Sequence, residues 1–372
     1  MIGFLEKLLN GRAVEWKTLN EVSELKRGKT ITAKTATKGN IPVISGGQKP
    51  AYFTGDFNRD GETITIAGSG SAGFVMYWNE PIFVSDAFSI KPHTDVLITK
   101  YVYHYLLLNQ EKIFAMKKGA GIPHVYPKDV GAIKIPIPPI DVQTEIVKIL
   151  DKFTALNSEL IKELILRKKQ YDYYLNSLLN NSSNFIALGQ IGEVRMCKRI
   201  LKAQTNSIGD IPFYKIGTFG KKADAFIAKE LFLEYKQKYN FPKKGDILIS
   251  ASGTIGRTVI FDGIDAYFQD SNIVWLENDE TQVLNRFLYY AYKIVEWGAV
   301  EGGTIKRLYN DNLRKITIPL LPLSEQQKIV SILDKFETLT NSISHGLPKE
   351  INLRQKQYEY YREQLLAFDN SF

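Results

Sequence analysis

Residues 146–153 read Ile-Val-Lys-Ile-Leu-Asp-Lys-Phe, and residues 329–336 read Ile-Val-Ser-Ile-Leu-Asp-Lys-Phe, so seven of eight positions are identical. A second block follows each copy, in which Leu166–Tyr174 matches Leu353–Tyr361. The second copy carries four more residues between its blocks, near Gly346. Similarity in the same order over so long a period indicates that the chain is a tandem duplication of one structural unit.

Both copies carry the pattern of a long amphipathic helix, because apolar side chains recur at alternating spacings of three and four residues. A helix of about forty residues is roughly 60 Å long and cannot bury a one-sided apolar stripe alone. We therefore predict that the two copies pair antiparallel as a coiled coil; the alternative is that each helix packs on its own globular domain. The predicted helix–helix interface comprises Ile146, Leu150, Phe153, Leu160, Leu164, Tyr171, Tyr174, Leu178, Ile329, Leu333, Phe336, Leu347, Ile351, Tyr358, Tyr361 and Leu365.

The ends and the continuity of these helices carry their own signals. Ser324 followed by Gln327 predicts a capping box at the start of the second helix, and Asp141 is predicted to cap the first. Gly346 and Pro348 are expected to interrupt or kink the second helix.

The remaining sequence is rich in glycine, aromatic and β-branched residues, which predicts short strands in mixed domains. The fold class is therefore predicted as α+β, with two pseudo-symmetric globular mixed α/β domains separated by two long antiparallel helices. Leu5–Asn10 resembles Leu175–Asn180, so the N-terminus is predicted to complete a circular repeat. The predicted organisation is a short N-terminal helix over 1–11, a globular domain over 12–140, a helical region over 141–181, a globular domain over 182–323 and a helical region over 324–372.

Composition excludes several classes of protein. Cys197 is the only cysteine, which rules out a disulfide scaffold and a multi-cysteine zinc site. No apolar run reaches the roughly 18 residues that span a bilayer. The net charge of +8 favours a polyanionic partner. The four histidines are scattered without metal-ligand spacing, and no catalytic constellation is present.

A glycine-rich segment, Gly68–Gly73, matches the spacing of a dinucleotide-binding loop. That mechanism needs a helix to begin there, whereas the following residues predict another strand. The second copy has Ala251-Ser252-Gly253-Thr254-Ile255-Gly256 at the equivalent place. We therefore predict a tight turn between strands in both copies, and no nucleotide site.

Basic residues and amides recur in loop-like stretches of both globular domains, which suits phosphate anchoring combined with readout of base edges. The alternative for each is a solvated charged face. The predicted DNA-binding residues are Lys26, Arg27, Lys29, Lys34, Gln48, Lys117, Lys118, Lys198, Arg199, Gln204, Lys221, Lys222, Lys306 and Arg307.

Taken together, these features resemble the specificity subunit of type I restriction–modification systems. The resemblance covers essentially the whole chain. It is carried by the two Ile-Leu-Asp-Lys-Phe copies, by Gln143–Val147 and Glu325–Val330 after the proline stretches, and by Leu347–Ile351 leading to Arg354–Tyr358. The first helix departs from the family pattern because it lacks a Gly-Leu-Pro segment.

The resemblance implies a non-catalytic, cytoplasmic subunit that binds a bipartite DNA target, with one half-site for each target-recognition domain. It implies docking of two methyltransferase subunits through the helices, and of restriction subunits in the full complex. It also implies that S-adenosylmethionine, ATP and Mg are used by those partners, with no cofactor, metal or catalytic residue in this chain. The competing hypotheses are a coiled-coil scaffold that does not bind DNA, and an enzyme that uses the Gly68–Gly73 loop.

Overall fold

The computed structural model describes residues 4–180, 182–298 and 307–368. Short strands alternate with helices up to a first long helix, in the order α1 (Phe4–Leu9), β1 (Glu15–Thr18), α2 (Leu19–Val22), β2 (Ser23–Arg27), β3 (Ile41–Ile44), β4 (Tyr52–Thr54), β5 (Glu62–Ala67), β6 (Val75–Asn79), β7 (Phe83–Val84), β8 (Ala87–Pro92), α3 (Thr99–Leu108), α4 (Gln110–Ala115), α5 (Pro127–Gly131), β9 (Lys134–Ile137) and α6 (Ile140–Asn180).

The same alternation then repeats and ends in two helices. The order is β10 (Phe185–Ala187), α7 (Leu188–Ile191), β11 (Glu193–Arg195), β12 (Ile211–Tyr214), β13 (Phe226–Ile227), α8 (Lys229–Lys238), β14 (Ile247–Ser250), β15 (Thr258–Ile260), β16 (Tyr267–Phe268), β17 (Ile273–Glu277), α9 (Asn285–Ile294), α10 (Asn310–Lys315), β18 (Thr317–Pro319), α11 (Leu323–Asn341) and α12 (Leu347–Leu366).

The chain divides into two compact units. Unit 1 contains the residues up to Lys162 together with those from Glu350 onward, and unit 2 contains Glu163–Lys349. Unit 1 has a four-stranded sheet β2-β8-β5-β6, a three-stranded sheet β4-β3-β7 and the pair β1-β9. Unit 2 repeats this topology as β11-β17-β14-β15, β13-β12-β16 and β10-β18. In each three-stranded sheet one pairing is parallel, β3 with β7 and β12 with β16. The predicted duplication of an α+β unit is confirmed.

A buried glutamine joins each globular part to its long helix. Gln143 of α6 accepts a hydrogen bond from the backbone N–H of Ile98 at 2.9 Å, and its amide donates to two carbonyl oxygens. Gln326 of α11 accepts from the backbone N–H of Leu284 at 2.8 Å and also donates to two carbonyl oxygens. Because an unpaired buried amide is costly, this pattern fixes where each helix meets its domain.

The aspartate of the repeated block makes a second link in unit 1. Asp151 accepts a hydrogen bond from Lys100 Nζ at 2.6 Å and lies 3.1 Å from His104 Nε2. His104 is fully buried, and its Nδ1 lies 3.0 Å from the hydroxyl of Tyr358 on α12. Burial alone raises the pKa of Asp151, but the hydrogen bonds from His104 and Lys100 outweigh it and hold that pKa below its usual value.

In unit 2 the equivalent aspartate belongs to a larger cluster. Asp334 accepts from Arg286 Nε at 2.6 Å and from the hydroxyl of Tyr290 at 2.5 Å. Glu337 adds a second carboxylate, which accepts from Arg286 at 2.8 Å and from Lys293 at 2.7 Å. Burial raises the pKa of Glu337, whereas the hydrogen bond and charge of Lys293 lower it, and the net shift is downward.

The helical repeats pair antiparallel within unit 1. Phe153 stacks on Tyr361 with ring centroids 5.1 Å apart, and Asn157 donates to Gln355 at 2.8 Å. These partners advance along α6 while they recede along α12, so the two helices run in opposite directions. Ile146, Leu150, Tyr358 and Leu365 of the predicted interface lie in the same hydrophobic core. Leu5, Leu8 and Leu9 of α1 pack against that core as well.

Within unit 2, the second half of α6 packs with α11. Tyr174 stacks on Phe336 with ring centroids 5.4 Å apart. Tyr171, Ile329 and Leu333 share one core, and Leu178 packs against it. Both cores also include side chains of the globular parts, so pairing of the helices and packing on their own domains occur together. The other predicted interface residues are half-buried and lie outside the cores formed by the described residues, namely Leu160, Leu164, Leu347 and Ile351.

The second helical region is interrupted as predicted, between the end of α11 and the start of α12. Gly346 has a φ of 81°, which favours glycine. The predicted caps are wrong. The first residue of α11 is Leu323, after Pro322 and without a side-chain cap. Asp141 lies inside α6, where its carboxylate accepts from Arg12 at 2.8 Å.

Along the described parts of the chain, no helix combines the length and the apolar character needed to cross a bilayer.

Candidate nucleic-acid interface

The glycine-rich segments form tight turns between antiparallel strands, β5 with β6 and β14 with β15. Gly70 and Gly73 have φ values of 59° and 88°, and Gly253 and Gly256 have 66° and 81°. The two turns therefore share one backbone conformation that needs glycine at both positions. The prediction of a turn between strands is confirmed.

A serine at the same place in each turn holds a polar side chain that precedes the next strand of the sheet. In unit 1, Ser69 Oγ donates to the carboxylate of Asp86. In unit 2, Ser252 Oγ donates to Asn272 Oδ1 at 2.8 Å. The serine is common to both units, whereas the residue it holds changes from a carboxylate to an amide.

A later segment returns to the turn in each unit. The residue after His124 donates its backbone N–H to the unit 1 turn at 3.1 Å, and the residue after Arg307 does so in unit 2 at 2.8 Å. The backbone thus places His124 and Arg307 at equivalent positions beside the two turns.

In unit 1 these residues line an open cleft of about 480 Å³, which we call cleft 1. Its wall includes Arg27, Asp86, His124 and Tyr126. The guanidinium of Arg27 lies 6.0 Å from the ring centroid of Tyr126, and the imidazole of His124 stacks on the same ring at 6.1 Å. Cleft 1 therefore combines one exposed carboxylate with a cation and two flat rings.

In unit 2 the equivalent cleft measures about 520 Å³, and we call it cleft 2. It is lined by Arg199, Lys202, Lys215, Asn272 and Arg307, among other residues. Arg199 is paired with Asp270 at 2.8 Å, and Lys215 with Asp224 at 2.8 Å. The NH2 group of Arg307 donates to a backbone carbonyl at 3.3 Å. Cleft 2 is richer in cations than cleft 1. At the position equivalent to Asp86 it presents the amide of Asn272, and its own carboxylate, Asp270, is already paired with Arg199.

The predicted DNA-binding residues of unit 1 are exposed, and only some of them lie at cleft 1. Arg27 lines the cleft, and Lys26 precedes it on β2. The backbone of Lys118 forms an isolated antiparallel β-bridge with that of His124, and the Lys118 ammonium contacts the Asp129 carboxylate at 2.8 Å. The others lie in loops that do not line the cleft, namely Lys29, Lys34, Gln48 and Lys117.

In unit 2, Arg199 and Arg307 lie together in cleft 2, whereas the remaining predicted residues are elsewhere or outside the described chain. Lys198 lies 5.1 Å from the Tyr239 ring centroid. Gln204 is half-buried, and its Oε1 accepts from a backbone N–H at 2.8 Å. Lys221 lines a different cavity, Lys222 is exposed, and Lys306 lies outside the described residues.

Sequence reasoning missed Asp86 and His124, which line cleft 1, and Asn272, which lines cleft 2. The signal was present in the two turn segments, because Ser69 aligns with Ser252. The residues that the serines hold follow one strand later along the chain, where no motif marks them.

Other candidate chemistry is not assembled in the residues the structure describes. Across positions 4–180, 182–298 and 307–368, no group of three or more His, Cys, Asp or Glu side chains is placed to hold a metal ion. Burial raises the pKa of the Cys197 thiol to about 12, so this cysteine is unreactive at neutral pH.

Comparison with known proteins gives one family. The model of the type I restriction modification DNA specificity domain matches residues 13–167 and 180–353. A protein of Haemophilus influenzae described as a type I restriction enzyme specificity subunit is 55% identical over 382 residues, covering 98% of each chain. The specificity subunit of an Escherichia coli type I restriction enzyme is 30% identical over 404 residues, covering 99% of this chain and 97% of that one.

Solved structures have the same fold. The S subunit of a type I restriction–modification system from M. genitalium aligns with a TM-score of 0.62 at 20% identity, covering 97% of this chain and 98% of that one. A chain from a structural study of type I system assembly aligns with a TM-score of 0.57 at 16% identity, covering 96% and 98%. From the two family matches and the full-length relatives, we conclude that this chain belongs to the DNA specificity subunits of type I restriction–modification systems.

Proposed function

We propose that this chain binds a bipartite DNA sequence, with one half-site read by each unit, as the non-catalytic specificity subunit of its complex. The observation that carries the proposal is that one backbone frame occurs twice with different side chains in its cleft. A single protein needs two such clefts when it must recognise two unlike sequences in similar geometry.

The chemistry of the clefts supports double-stranded DNA as the ligand. Arginine, asparagine and carboxylate side chains are the groups that discriminate base edges in the major groove. Exposed lysines around them suit contacts to phosphates, which hold a protein on DNA without reading its sequence. The net charge of +8 favours such a polyanion.

The helices support docking of two methyltransferase subunits. Leu166 and Tyr173 of α6 are 59% and 68% exposed, and their repeat counterparts Leu353 and Tyr360 of α12 are 50% and 58% exposed. Each pair is separated by seven residues, so its members lie on one helix face. Because large apolar side chains are costly to expose, identical pairs on both units fit two copies of one partner.

In this proposal, methylation and cleavage belong to the partner subunits. S-adenosylmethionine, ATP and Mg are used there, and this chain holds no cofactor of its own. Restriction subunits join the same complex, which works in the cytoplasm, where the cell's DNA lies.

The test is selection of duplex DNA from a random library by the assembled specificity and methyltransferase subunits. We expect a consensus of two short conserved segments separated by a gap of fixed length. Sequencing of methylated bases in host DNA, with and without this gene, should return the same two-part motif. A complex that retains DNA without any consensus would instead support a coiled-coil scaffold, and it would refute sequence-specific recognition.

A further inference from the structure

The two clefts differ in chemistry at one pair of equivalent positions. Asp86 in cleft 1 and Asn272 in cleft 2 are held by equivalent serines on turns of the same conformation. A residue needed only to close the turn could be the same in both units. Here the scaffold is retained while the chemistry of the held side chain changes.

A carboxylate that faces DNA is restricted in the bases it can accept, because it needs a hydrogen-bond donor. Asp86 is exposed and is held by one donor, Ser69, within the described chain. An ionised carboxylate only accepts hydrogen bonds, and it repels phosphates. On contact with DNA it becomes desolvated, so it needs a donor from the base it faces. In the major groove, the amino groups of cytosine and adenine are the base donors.

The amide of cleft 2 has the opposite capacity. Asn272 uses Oδ1 to accept from Ser252, and no described residue accepts a hydrogen bond from its Nδ2. The free N–H groups can donate to the acceptor edge of a base, as can the neighbouring guanidinium of Arg307. Guanine offers two acceptors, N7 and O6, on its major-groove edge. Cleft 2 therefore fits an acceptor edge where cleft 1 fits a donor.

We propose that Asp86 and Asn272 are equivalent specificity-determining residues, with Asp86 requiring cytosine or adenine in the half-site of unit 1 and Asn272 contributing to recognition of an acceptor edge in the half-site of unit 2. This inference rests on the proposed bipartite DNA recognition. It adds which side chains read the bases and which base classes they accept.

The experiment exchanges the two groups without changing their size. The variants are Asp86→Asn and Asn272→Asp in the full chain, assembled with the methyltransferase subunits and subjected to the same DNA selection. Asp86→Asn should reduce discrimination for cytosine or adenine at one base pair by roughly 10- to 100-fold, and the other half-site should stay unchanged. Asn272→Asp should change one base pair of the other half-site only.

Two controls separate base readout from structural effects. Asp95→Asn makes the same charge change in unit 1 at an exposed position outside cleft 1, and it should leave the consensus unchanged. Ser69→Ala keeps the carboxylate of Asp86 but removes the hydrogen bond that orients it. This variant should weaken discrimination at the same base pair as Asp86→Asn, by a smaller factor.

The outcomes are distinct. If the native complex selects a two-part consensus and both exchanges leave it unchanged in folded protein, the two residues only close the turns and the inference is wrong. A change at several base pairs of both half-sites would also overturn it. If the native complex selects no consensus at all, the proposed function fails before this inference is reached.

Discussion

Unit 1 and unit 2 agree in their scaffold and differ in what the scaffold presents. The sheets have the same strand order, and a buried glutamine holds each helix at the same place. In the clefts, by contrast, Asp86 is replaced by Asn272 and His124 by Arg307. Two sets of side chains are therefore under different constraints. Side chains inside the scaffold must match fixed backbone partners, whereas those in the cleft need only suit an external ligand.

The largest expected effect comes from replacing one cleft entirely. Exchange of residues 182–323 for the corresponding segment of another member of the family should give a new sequence for one half-site and retain the other. The reason is that each cleft is lined by residues of a single unit. DNA selection before and after the exchange measures this, and loss of both half-sites in a folded chimera would contradict independent recognition.

The exposed apolar pairs on the helices test whether the equivalent helix faces of unit 1 and unit 2 each bind one partner subunit. Leu166→Glu with Tyr173→Glu should lower the methyltransferase content of the complex from two copies to one, because charges in an apolar contact weaken binding by roughly 10-fold or more. Leu353→Glu with Tyr360→Glu should do the same. Native mass spectrometry gives the stoichiometry.

The control for partner binding is Ile343→Glu, at a highly exposed position between α11 and α12 and outside both exposed pairs. Two bound copies should remain in this variant. If the paired variants also keep two copies, those helix faces do not dock the methyltransferase.

The aspartate clusters predict unequal costs in the two units. Asp151→Asn removes the one carboxylate that holds Lys100 and His104, and it should destabilise unit 1 by about 1–3 kcal/mol. Asp334→Asn should cost less, because Glu337 still pairs with Arg286. Hydrogen exchange in native conditions can follow the two units separately, and a greater loss of protection for Asp334→Asn would reverse the comparison.

Acid should remove the stabilising contribution of Asp151 in unit 1. The folded-state pKa of Asp151 lies below its usual value of 3.8, so its contribution to stability is present above about pH 4 and is lost as the pH falls through the folded pKa. The difference in thermal unfolding between the native chain and Asp151→Asn should therefore hold above about pH 4 and shrink as the pH falls further through the folded-state pKa. A constant difference over this range would mean that the ionised carboxylate is not what stabilises the cluster.

The smallest effect is expected for a lysine outside the cleft. Lys117→Ala should weaken binding to all sequences alike and reduce the salt dependence by the equivalent of about one phosphate contact. Lys118→Ala should act less, since Lys118 is already paired with Asp129. Binding of random duplex at several salt concentrations measures both, and an unchanged slope for Lys117→Ala would remove it from the interface.

The sequence predicted the duplication, the paired helices and the interruption near Gly346, because these features depend on periodicity and on local backbone chemistry. It predicted the helix caps wrongly, since α11 follows Pro322 without a side-chain cap and the carboxylate of Asp141 is bound by Arg12. The clefts were found only in part. Arg27, Arg199 and Arg307 were anticipated from charge, whereas Asp86 and Asn272 are defined by hydrogen bonds across strands that no spacing along the chain records.

The position of Asp151 and Asp334 inside the two near-identical eight-residue blocks has a genetic consequence. Each block supplies the carboxylate that anchors its own globular part to the helix, so a crossover within the corresponding DNA leaves that anchor intact in the product. Recombination between related genes at these blocks would replace one cleft with another of different base preference. The hydrogen-bonded contact between each globular part and its helix would be preserved.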